Sequence, residues 1–180
     1  MTASHEGDDE GLVARANAGD EEAFAILYRR HREWVPALAT RFTGAGNLAQ
    51  DAVQEAFLWL LGKFPGLELR GRLTTLLYPV VKHLALRARE RAGRYGRALE
   101  DAPEATVEGE AQGTRADLEA ALRILPEPQR EVLLMRYADD LSPAEIALAL
   151  GIPEGTAKSR LHAAVAALRA DPRTRGHFGI

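Results

Sequence analysis

The 180-residue sequence predicts an all-α protein: two small helical domains joined by a flexible acidic linker. Two features support this. Apolar residues recur at helical spacing on both sides of the chain's middle, bounded by capping residues, glycines and prolines. Between them Glu100, Asp101, Glu104, Glu108 and Glu110 form an acidic run with no cation before Arg115, and Leu99 and Val107 are its large apolar residues. That stretch also holds Pro103, Gly109 and Gly113 and cannot bury enough apolar surface to fold, so residues 98–114 read as a tether. The domains are then residues 8–97 and 115–171.

Composition narrows the function classes. Apolar residues make up 46% of the chain, enough for packed cores. The absence of cysteine excludes disulfides, thiolate zinc sites and a cysteine nucleophile. The five histidines show no metal-binding spacing, so no metal or other cofactor is expected. No carboxylate pair, nucleophile–base set or phosphate loop stands at usable spacing, which argues against an enzyme. No apolar run reaches the length of a membrane span, and the acidic N-terminus is no signal peptide. A cytoplasmic protein without membrane insertion is the expectation. A net charge of −3 and a pI near 6.0 argue against tight DNA binding by the chain alone.

In the first domain a short helix covers about residues 8–18. A second follows the Gly19-Asp20 cap and carries Phe24, Leu27, His31, Leu38 and Phe42 at near-helical spacing, with Pro36 expected to kink it. Gly44-Ala45-Gly46 breaks the pattern. Asn47 is expected to cap a third helix, Leu48 to about Phe64, with Gln50 in the capping-box position. Val53, Phe57, Leu60, Leu61 and Phe64 make its core stripe. The opposite side gathers Asp51, Gln54, Glu55 and Leu58, with Trp59 at its edge. Exposed apolar groups beside fixed polar ones suit a protein–protein contact. Alternatively, Trp59 simply folds over the edge of the core.

A fourth helix runs from about Arg72 to Arg94, with Leu73, Leu76, Leu77, Val80 and Leu84 inward and Pro79 disturbing it midway. It feeds a basic run of Lys82, Arg87, Arg89, Arg91, Arg94 and Arg97, interrupted by Glu90. Cations beside Tyr78 and Tyr95 suit nucleic acid. A solvated, Arg-rich helix end favoured by the helix dipole is the plainer alternative.

The second domain carries the most specific local signal. Ser142 is a good N-cap, Pro143 suits the first helical position, and Glu145 completes an S-x-x-E capping box. Gly151 then ends that helix and Ile152-Pro153 starts the next. Short helix, glycine turn, short helix is a helix-turn-helix, whose second helix can enter the major groove. At about 100° per residue, Ala157, Leu161, Ala164, Val165 and Leu168 pack inward. Ser159 centres the outer side, with Thr156 and Ala163 beside it and Lys158 and Arg160 flanking. Small hydroxyls admit base edges while the cations reach phosphates. An ordinary amphipathic helix with a solvated polar face is the alternative.

Taken together, these features resemble a bacterial RNA polymerase sigma factor of the extracytoplasmic-function (ECF) group of the sigma-70 family. The C-terminal resemblance rests on Leu125-Pro126-Glu127-Pro128-Gln129-Arg130-Glu131-Val132, on Arg136-Tyr137, on Leu141-Ser142 through Glu145-Ile146-Ala147, and on Gly155-Thr156-Ala157-Lys158-Ser159-Arg160-Leu161. The N-terminal one rests on Gly19-Asp20-Glu21-Glu22-Ala23-Phe24 and Asp51-Ala52-Val53-Gln54-Glu55-Ala56-Phe57. The resemblance implies a promoter-specificity subunit, with a region-two-like first domain and a region-four-like second. Its implied partners are core RNA polymerase, through the β′ coiled coil and the β flap, promoter DNA, and an anti-sigma factor.

By resemblance, the face with Asp51, Gln54, Glu55, Leu58 and Trp59 would dock on the β′ coiled coil. Tyr78, Lys82, His83, Arg87, Arg89 and Arg91 would meet the promoter −10 element, and Thr156, Lys158, Ser159 and Arg160 would read the −35 element. The chain departs from the family at 76–87. Where the family shows W-L-Y-x-I-A-x-N-x-x-x-D, this chain has Leu76, His83 and Arg87 for the tryptophan, asparagine and aspartate, and adds Pro79. Ala163 stands where arginine is common. The altered 76–87 segment motivates one alternative, a sigma-like adaptor that has lost −10 recognition and melting. A self-contained helix-turn-helix regulator using the C-terminal domain alone is another, and the pI argues against it.

Overall fold

The computed structural model describes residues 9–96 and 120–171, which among them form helices and turns. The expected tether at 98–114, Arg97 and the side chain of Tyr95 lie outside the described residues. The chain divides near residue 100 into two compact units.

In the first unit, α1 (Asp9–Asn17) buries Leu12, Val13 and Ala16 and packs on α2 (Glu21–His31). Asp20 caps α2, its carboxylate accepting from the Ala23 amide at 3.1 Å and pairing with Arg15 at 2.7 Å. The Arg15 guanidinium and then that amide hold the Asp20 carboxyl below its ordinary value. At the other end of α1, burial pulls the Asp9 carboxyl upward. His31 at 3.5 Å and Arg30 at 2.9 Å together outweigh it, and the net shift is downward.

The single kinked helix expected across Phe24–Phe42 is two helices. α2 stops at His31, and α3 (Trp34–Thr43) starts after Arg32-Glu33. Pro36 is the third residue of α3, where its missing N–H is one that a helix start leaves unpaired anyway. Its ring would clash with the carbonyl of Arg32 in a continuous helix, so the break falls there.

Gly44, at φ +77°, ends α3, its amide donating to the Thr40 carbonyl at 2.9 Å. α4 (Gly46–Leu61) follows, and Asn47 does not cap it. Ala45 holds that place with extended backbone, and the Thr43 hydroxyl bridges the turn by donating to the Ala45 carbonyl at 2.9 Å. α4 also stops three residues before Phe64.

α3, α4 and α5 (Leu73–Gly96) pack on one another. The inner face of α4 is mostly methyl: Ala49, Ala52 and Ala56 are buried with Phe57 and Leu60. Val53 and Phe64, expected in the core, are half-buried and Leu61 is exposed, because the alanines let α4 approach its neighbours by a face one position round. On α5 the buried side is Leu73, Leu77, Tyr78, Val81 and Ala85, with Leu76, Val80 and Leu84 at its margin. The helix runs through Pro79, which sits exposed on the outer side.

Asn17, at the end of α1, ties down the loop between α4 and α5. Its side-chain oxygen accepts from the amides of Gly66 at 2.7 Å and Leu67 at 3.0 Å, and its amide donates to the Leu67 carbonyl at 3.0 Å. Asn17→Ala should destabilise the protein by about 1–3 kcal/mol, since three bonds, two of them part-buried, are lost together. Urea unfolding of the full chain measures it; an unchanged midpoint would mean that water replaces the side chain at no cost.

In the second unit, helical residues 120–123 precede α6 (Glu127–Tyr137), α7 (Pro143–Leu150) and α8 (Glu154–Ala170). Ala121, Leu125, Leu133, Ala164 and Leu168 form a buried cluster, with Leu122, Val165 and Ala167 against it. Met135, Leu141, Ile146 and Ala157 are also fully buried. α8 packs on both α6 and α7. No described helix is long and apolar enough to cross a membrane.

Candidate protein and nucleic-acid interfaces

Because Ala52 and Ala56 turn α4 inward, its other side faces outward. Asp51, Gln54, Glu55 and Leu58 recur at i, i+3, i+4 and i+7 and form one stripe. Asp51 and Gln54 are exposed, Glu55 is half-buried, and Leu58 is 58% exposed. Trp59 lies half-buried at the edge, with the Lys63 ammonium 4.7 Å from its ring centre.

Beside the stripe a groove of about 650 Å³ opens between α2, α3 and α4. Phe24, Tyr28, Val53, Phe57, Leu58 and Leu61 supply its apolar lining. Tyr28, 44% exposed, lies 4.6 Å from the Phe57 ring, and Leu61 is 50% exposed. Sequence reasoning missed this groove, having placed Leu61 in the core and left Tyr28 unassigned. The paired i, i+4 positions Phe24/Tyr28 and Phe57/Leu61 were its available signal.

The six side chains expected on the −10 side are not brought together. Tyr78 is a core residue, 1% exposed, its ring edge-on to Phe42 at 6.1 Å. The helical period puts it on the same face as Thr74, Leu77, Val81 and Ala85, against the rest of the unit. Lys82 is half-buried, its ammonium 5.6 Å from the Phe42 ring centre. His83, Arg87, Arg91 and Arg94 lie on one exposed stripe along α5. Arg89 is exposed to one side and donates to the Phe42 carbonyl at 3.2 Å. Arg91 pairs with Glu55 of α4 at 3.6 Å.

The helix-turn-helix forms as its sequence specifies. The Ser142 hydroxyl accepts from the Glu145 amide at 3.3 Å, and the Glu145 carboxylate accepts from the Ser142 amide at 2.7 Å. Gly151, at φ +64°, closes α7, and the Ile152 amide reaches back to the Ala147 carbonyl at 3.0 Å. On α8, Ala157, Ala164 and Leu168 are buried and Lys158 and Ser159 are exposed, with Thr156 and Arg160 between. The Ser159 hydroxyl donates to the Thr156 carbonyl at 3.0 Å, and Lys158 pairs with Glu154 at 2.7 Å. All four −35-side residues therefore share the outward part of one helix.

The chain is similar to known proteins over most of its length. The Sigma-70 region 2 profile matches residues 27–95, and that of Sigma-70, region 4 matches residues 115–168. The ECF RNA polymerase sigma factor SigM of Mycobacterium tuberculosis (strain ATCC 25618 / H37Rv) is 32% identical over 87% of this chain and 80% of its own. The ECF RNA polymerase sigma factor SigW of Bacillus subtilis (strain 168) is 29% identical over 87% and 92%. Among solved structures, the sigma factor RpoE from Bartonella quintana, in complex with the anti-sigma factor NepR, shares the fold. Its TM-score is 0.62 at 23% identity, over 81% of this chain and 94% of that one. Fold, helix-turn-helix and relatives together define a transcription initiation factor. The chain belongs to the ECF group of RNA polymerase sigma factors, subunits that bind core polymerase and direct it to particular promoters.

Proposed function

We propose that the outer stripe of α4 is the contact with core RNA polymerase, that the exposed stripe of α5 meets the −10 element, and that α8 reads the −35 element. The first unit is then region two and the second region four, the latter also offering itself to the β flap. The observation that carries the polymerase assignment is the two-sidedness of α4. Its alanines are buried while Asp51, Gln54, Glu55 and Leu58 are turned outward beside an apolar groove. Polar groups around accessible apolar surface are what a specific protein contact needs. An anti-sigma factor as further partner has support from the NepR-bound relative, and such a partner would work in the cytoplasm, where polymerase is.

Tyr78 takes no part in this reading, since it is packed inside. His83, Arg87, Arg91 and Arg94 supply the −10 side, mainly through phosphates. No observation favours an adaptor that has lost −10 recognition. Competition against the housekeeping sigma factor for purified core polymerase tests the assignment. Mutual displacement is the expected result; a folded chain that does not compete would overturn it.

A further inference from the structure

The pair between Glu55 and Arg91 joins two surfaces with different partners. Glu55 belongs to the α4 stripe assigned to polymerase, and Arg91 to the α5 stripe assigned to DNA. Their atoms Oε1 and Nη1 stand 3.6 Å apart, with the side chains 44% and 49% exposed. The neighbouring cations Arg87 and Arg94, about one turn either way along the same stripe, have no carboxylate partner among the described residues. Asp51, one turn earlier on α4, likewise has no cation. The α5 stripe thus has one position already neutralised, and its neutralising group is a member of the other interface.

We propose that the Glu55–Arg91 pair is a mutual mask that couples polymerase binding to promoter binding. This inference rests on the functional reading above. When polymerase engages Glu55, Arg91 loses its carboxylate and is freed for a phosphate. When DNA engages Arg91, Glu55 is freed for polymerase. The coupling is positive and reciprocal, because whatever one partner gains from the other's presence is returned in equal measure. A half-exposed pair shifts such an equilibrium by roughly two- to fivefold at low salt, and by less as salt rises.

Full-length variants, competed for core polymerase without DNA, test this. Arg91→Gln should tighten core binding about two- to fivefold, because Glu55 no longer has to be released. Arg70→Gln removes the same charge from the exposed α4–α5 loop and should leave core affinity unchanged. In a Glu55→Gln background, Arg91→Gln should have no effect. The coupling is overturned if Arg91→Gln leaves core affinity unchanged or weakens it. It is equally overturned if Arg70→Gln gives the same gain, or if the gain persists in the Glu55→Gln background. Either of the last two would mean long-range charge, not the pair. Failure of the underlying reading is separable. If Glu55→Lys leaves core affinity intact, the docking face itself is misassigned; if it weakens binding while Arg91→Gln does nothing, the coupling alone is wrong.

Discussion

Glu55→Lys should cost the protein about 2 kcal/mol of affinity for core polymerase, roughly thirtyfold. The reversal acts twice at the stripe. It removes an acceptor from the middle of the outward face and puts an ammonium beside Arg91, whose guanidinium then has no carboxylate there. Because the side chain is half in solvent, the change should leave folding nearly untouched, with the helical circular dichroism and the urea midpoint retained. Gln54→Ala should act in the same direction and by less, since it deletes an exposed amide without introducing a charge. Competition against the housekeeping sigma factor measures both. Survival of core binding in both variants would sink the assignment of this face.

The second large effect is expected at Arg160. Removing it as Arg160→Ala should lower promoter affinity of the assembled holoenzyme by about 1–3 kcal/mol if its guanidinium pairs with a guanine. That loss should disappear on promoters changed at the paired base. A smaller loss, uniform across sequences and accompanied by a shallower salt dependence, would identify a phosphate contact instead. Lys158→Ala should cost less than Arg160→Ala. Lys158 is already held at 2.7 Å by Glu154 within the same helix, whereas the described residues give Arg160 no ion pair.

The helix-turn-helix was fully legible because its determinants are local. Ser142, Glu145 and Gly151 act on backbone groups within a few residues of themselves, and the structure shows each of those bonds. The outward stripe of α4 was legible for a similar reason, its spacing being the helical period. What the sequence concealed depends on contacts distant in the chain. The bonds from Asn17 to Gly66 and Leu67 span about fifty positions, and no periodicity announces them. The Glu55–Arg91 pair is hidden in the same way. Tyr78 carries a polar tip and stands one helical turn before Lys82, which suggested a wet position at the start of the basic run. Only the packing of α5 shows that its ring belongs with Phe42.

Two local misreadings have local causes. Phe24, Leu27, His31, Leu38 and Phe42 keep near-helical spacing across a real break, so the pattern masked the end of α2. The informative residue was Pro36, whose ring acts on the carbonyl four residues before it and not on its own position. On α4 the largest apolar residues drew the core stripe toward Val53 and Leu61. Small side chains win there because they shorten the distance between helix axes.

That alanine face divides the helix into a part that can drift and a part that cannot. Ala49, Ala52 and Ala56 are 3%, 2% and 0% exposed, so any bulkier residue would force the packed helices apart. Positions 51, 54 and 58 stand in solvent and constrain nothing inside. Over generations, descendants of this chain can therefore exchange one binding partner for another by a few substitutions along a single exposed line, while the scaffold that presents it is inherited unchanged.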